Sequence, residues 1–147
     1  MANFIYDKAR EKFLSGELSW KNDTSGVIKV ALVNNRYVPD QSQDITLNDI
    51  NTLGQAIIAD ASLQNLTVTN GIAGADPITI QNVDSGNSIK YIVLYKHNNS
   101  NNQTTLIAFI DTAQGIDNGL TTDGRDIKIV WSNTSNLEFP SYKIFKL

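Results

Sequence analysis

The sequence contains no cysteine, so no disulfide staples the fold and no thiol serves as nucleophile or metal ligand. Its only histidine is His97, which excludes a His pair for zinc. Positive charge is sparse: 12 Lys and Arg stand against 15 Asp and Glu, a formal charge of −3. The basic residues are scattered and form no stripe of the kind that phosphate backbones require, so nucleic acid is not expected as a partner. Long apolar runs are also missing. No stretch approaches the length of a membrane-spanning helix, and no membrane partner is expected. The opening MANFIYDKAREKFLSGELSW has its apolar residues interrupted by Asp7, Lys8, Arg10, Glu11 and Lys12. A signal peptide needs a continuous apolar stretch. The product is therefore expected to stay in the compartment where it is made.

What is present points to strands. A chain of 147 residues suits one domain and can bury a core without staples. Phe4, Ile5, Ala9, Phe13 and Leu14 fall near helical spacing, which predicts a helix over about residues 4–15. Asn3 would cap its start and Gly16 would stop it. So short a helix must dock its Phe face, either on the chain's own sheet or on a partner. VIKVALV, residues 27–33, carries Lys29 as its only charge and reads as a central strand. RYVPDQSQD reads as a loop, and DITLNDIN as one helical turn capped by Asp44 with Ile45, Leu47 and Ile50 inward. QAIIADA, NLTVTN and ITIQNV are candidate strands, with GIAGADP as a turn between the last two. SIKYIVLYKH and TTLIAFID read as a hairpin. DIKIVW alternates, placing Ile127, Ile129 and Trp131 on one face. SYKIFKL closes the chain as a last strand. Many short strands separated by Gly, Asn, Asp and Ser turns predict an all-β fold. The expected form is an antiparallel β-sandwich, or a barrel-like variant, as a single domain over 1–147 with a short N-terminal α-helix.

Chemistry is harder to find. A histidine base needs a carboxylate to orient it and a nucleophile beside it. The neighbours of His97 are Asn98, Asn99, Ser100, Asn101 and Asn102, none of them a carboxylate. Asn and Ser favour turn geometry, so this stretch reads as the tip of a hairpin. In DTAQGIDNGLTTDGRDI, the side chains of Asp111, Asp117, Asn118, Asp123 and Asp126 are oxygen ligands of the kind calcium accepts. They lack the order of a calcium-binding loop, and TTDGRD reads as a turn. Trp20, Tyr37 and Tyr142 are candidates for a sugar-binding face, though such aromatics more often pack inward. On these grounds no enzyme activity, cofactor or metal is expected.

Two stretches nevertheless look alike to a known group. YDKAREKFLSGELSW and IKVALV, followed by RYVPDQ and LNDI, resemble the start of a family of small phage-encoded proteins. LIAFIDTAQG, then GRDIKIVW and a final KIFKL, resemble the end of the same family. The middle, roughly Ala59 to Ser88, is looser. The resemblance implies a virion structural protein, made in the host cytoplasm and carried on the particle. It transfers no binding residue. The expectation it supports is a capsid decoration, or cement, protein on the outer surface of the assembled head. Its partners would be the major capsid protein or other virion proteins. It would be a cyclic homo-oligomer such as a trimer. A tail-associated connector, baseplate or fibre subunit is the alternative, and a carbohydrate-binding adhesion module a further one. Aromatics anchor interfaces, so Phe4, Tyr6, Phe13 and Trp20 are the expected contact residues.

Overall fold

A computed structural model describes residues 3–51, 54–98, 104–112, 119–131 and 143–147. Along the chain run β1 (Phe4–Ile5), α1 (Asp7–Ser15), β2 (Val27–Val33), α2 (Asn48–Asn51), β3 (Ile57–Ser62), β4 (Thr67–Thr69) and β5 (Ile72–Gly74). They are followed by β6 (Ile78–Ile80), β7 (Ser88–Ile89), β8 (Tyr91–His97), β9 (Thr105–Ile110), β10 (Leu120–Thr121), β11 (Ile127–Ile129) and β12 (Lys143–Lys146). The fold is all-β, and its strand pairs are antiparallel. The main sheet has the order β1-β9-β8-β2-β3. A smaller sheet runs β12-β5-β4, and two ribbons pair β11 with β6 and β10 with β7. No sheet among the described residues closes on itself.

The main sheet follows from its sequence. In a strand, successive side chains point to opposite faces. In β8, the consecutive residues Ile92 to Lys96 are all buried, and in β9 so are Thr105 to Phe109. Both faces of this pair are therefore covered, which is why their apolar runs do not alternate with polar residues. Tyr37, from the loop after β2, sets its ring edge-on against Phe109 at 6.2 Å. β11 lies nearer the surface and alternates as expected. Ile129 and Trp131 are buried, whereas Lys128 and Val130 are exposed.

Three local expectations are corrected. The helix begins at Asp7, not at Phe4. Phe4 and Ile5 are extended and pair with Phe109 and Ala108, and the Phe4 ring stacks on Phe109 at 4.9 Å. Three residues of added helix gain little, whereas pairing packs Phe4 and Ile5 against β9, with Ile5 buried and Phe4 half-buried. Asn3 consequently caps no helix. Its Oδ1 accepts from the backbone N–H of Asp111 and Thr112, beyond the end of β9. Gly16 does end the helix, in the left-handed conformation with φ 81°.

The second correction concerns GIAGADP, which holds β5, paired on one side with β4 and on the other with β12. Asn70 and Gly71, at φ 52° and 78°, make the two-residue turn that closes β4 onto β5. The third concerns DITLNDIN. Leu47 and Ile50 are buried, but Ile45 is exposed. Asp44 does not cap this turn; Asp49, within it, reaches back to accept from the N–H of Ile45 and Thr46. Asp44 is engaged elsewhere.

Candidate functional site

Polar side chains inside an apolar fold are the first place to look for chemistry, because an unmatched buried charge is costly. Lys96 sits near the end of β8 and is only 5% exposed. Its Nζ donates to the backbone oxygen of Ser19 at 3.1 Å and to Ser19 Oγ at 2.9 Å, and it pairs with Asp23 Oδ1 at 3.2 Å. An ammonium has three protons, and three acceptors surround this one. Asp23 also accepts from the hydroxyl and the N–H of Ser25. Those Ser25 bonds, with Lys96 beside them, hold the Asp23 carboxyl well below the usual carboxylate range. Nearby, Lys12 Nζ donates to Thr105 Oγ1 at 3.1 Å. Lys12, Glu17, Ser25, Lys96, Asn98 and Thr105 line a cavity of about 160 Å3. The cluster acts as a clasp. It ties the segment between α1 and β2 to β8, and its buried ammonium has no donor left for a ligand.

A second network joins distant segments. Tyr37 Oη donates to Asp44 Oδ2 at 2.6 Å. That commits its one proton, so the 2.7 Å bond between Tyr6 and Tyr37 runs from Tyr6 to Tyr37. Burial raises the pKa of both phenols far above the ordinary tyrosine value, and the neighbouring Tyr6 adds to this at Tyr37. Both therefore stay neutral and serve as structural links, not as bases. The same loop is fastened by Asp7 N–H to the Gln41 carbonyl and by Gln41 Nε2 to the Ile5 carbonyl. A third network crosses the sheet: Tyr95 Oη and Lys29 Nζ converge on Asp60 at 3.2 and 3.1 Å. Burial, then the Asp60 charge, pushes the Tyr95 phenol up.

The candidate residues from the sequence fall as follows. His97 is not at a hairpin tip. It is the last residue of β8, half-buried and paired with Val27. Asp126 accepts from the Asn82 N–H, and Asp123 from the Arg125 N–H. Both are fastening turns. Asp117 and Asn118 lie outside the described residues, as do Asn99 to Asn102 and Tyr142. Among the described residues, no three carboxylate or histidine side chains gather where they could hold a metal ion.

The four expected contact aromatics divide. Tyr6 and Trp20 are buried within the chain itself, which removes them as surface anchors. Tyr6 is drawn inward by Tyr37. Trp20 is held by the bond from its Nε1 to the Gly74 carbonyl at 3.0 Å and by the Phe145 ring at 5.0 Å. Phe4 and Phe13 are half-buried and pack against the core. Burial of Trp20 and Tyr37 also leaves neither of them on an open sugar-binding face. Among the described residues, the large apolar side chains most open to solvent are instead Leu14, at 84%, and Val38, at 78%. Helical spacing places Leu14 with Phe13 on the packed face of the helix, but the side chain faces solvent. The lone Lys in the apolar run YIVLYKH was the available sign of a buried ion pair.

Beside this, an apolar groove of about 230 Å3 runs along β1 and β9 to β12, lined by Phe4, Ile5, Ala108, Ile110, Ile144 and Phe145. Compared with known proteins, the chain matches no family model and no curated protein.

Proposed function

We propose that this protein is a structural component of a phage virion. In this reading it is a capsid decoration protein that binds the outer surface of the assembled head as a homo-oligomer. The observation that carries the reading is where the family-like stretches meet. β1 pairs with β9. Phe13 of α1 and Trp20 both meet the ring of Phe145 in the closing KIFKL, at 6.2 and 5.0 Å. The opening and the close of the chain, which carry the resemblance, thus form one packed unit. A signature spread over such a unit is a signature of shape. The buried polar networks fit the same reading, since each fastens one segment to another. The sheets, on this view, pack as an antiparallel sandwich.

The protein would be made in the host cytoplasm and carried out on the particle. Binding the assembled shell and not its separated subunits would stabilise the shell by mass action, and many copies would add avidity. In this reading the contact surface keeps the half-buried Phe4 and Phe13 and adds the outward side of α1, where Arg10, Glu11 and Leu14 are exposed. The test is co-sedimentation of the purified protein with heads that lack it. The expected result is saturable binding, weakened by Leu14→Asp without loss of folding. Binding to isolated tails and not to heads would transfer the reading to a connector, baseplate or fibre subunit. Binding to neither would overturn it.

A further inference from the structure

We draw no further inference here: the strongest candidate, the apolar groove between the β1–β9 edge and the C-terminal strand β12, lined by Phe4, Ile5, Ala108, Ile110, Ile144 and Phe145, has nothing in the structure to show what covers it.

Discussion

The main sheet and the short ribbons are held together by different means. In β2, β8 and β9, stability comes from burial on both faces. Val30, Leu94, Leu106 and Phe109 are all but sealed from water, and the hydrogen-bond ladder forms inside that dry layer. The ribbons β10–β7 and β11–β6 pair over two or three residues each. They depend on single side chains that reach the backbone. Thr122 Oγ1 accepts from the Asn87 N–H and donates to the Asp84 carbonyl. Asp126 accepts from the Asn82 N–H, and Trp131 Nε1 donates to the Asp76 carbonyl. Apolar burial is spread over many contacts, so its loss scales with the volume removed. A hydroxyl pin is local, and water can replace part of it. The two regions should therefore respond on different scales to substitution.

Phe109→Ala should have the strongest effect. It empties a site where the Phe4, Tyr37 and Tyr91 rings converge. A loss of about 3–5 kcal/mol is expected, read from the urea midpoint at unchanged slope. A loss no larger than that of a ribbon variant would erase the distinction between the regions. Tyr37→Phe comes next. It leaves the buried Tyr6 hydroxyl without its acceptor and takes a donor from Asp44, at a cost of about 1–3 kcal/mol. Tyr6→Phe should cost less, because Tyr37 keeps its bond to Asp44. Equal costs would mean that the chain of hydroxyls does not run in the direction stated.

Thr122→Val keeps the shape and removes the pin from the β10–β7 ribbon. About 1 kcal/mol is expected, with faster amide exchange confined to that ribbon and β8 unaffected. Slowed or unchanged exchange in the ribbon would contradict the pinning role. The smallest effect concerns pH. Asp23 has its pKa lowered in the folded protein, so it stabilises the fold above the unfolded value of about 3.9, and that contribution disappears as pH falls through the folded value. Asp23→Asn should flatten the acid limb of stability against pH relative to the unaltered chain, with little change in slope near neutrality. An identical acid limb in the two proteins would show that Ser25 and Lys96 do not favour the ionised form.

The same division explains what could be read from the sequence. β2, β8, β9 and β11 were legible because their apolar runs are long or alternate cleanly, and burial in a sheet is what such patterns encode. β1 was not. Phe4 and Ile5 fit helical spacing with Ala9 and Phe13, and only the partner strand over a hundred residues later makes them extended. β5 was hidden for a similar reason. Ala73 and Gly74 look like turn residues, yet they are flanked by strands on both sides, and the Gly74 carbonyl receives the Trp20 indole N–H. The inward turn of Tyr6 had no local sign either, since its acceptor lies 31 residues away. Aromatic residues near a chain end look alike whether they anchor a partner or the chain's own core. Distant hydrogen-bond partners decide between the two.

The virion reading is tested most directly by localisation: purified particles labelled with an antibody to this protein and viewed by electron microscopy. Label distributed over the heads is the expected result. Label at one vertex or along the tail would contradict the decoration role, and particles free of label would contradict a place in the virion altogether.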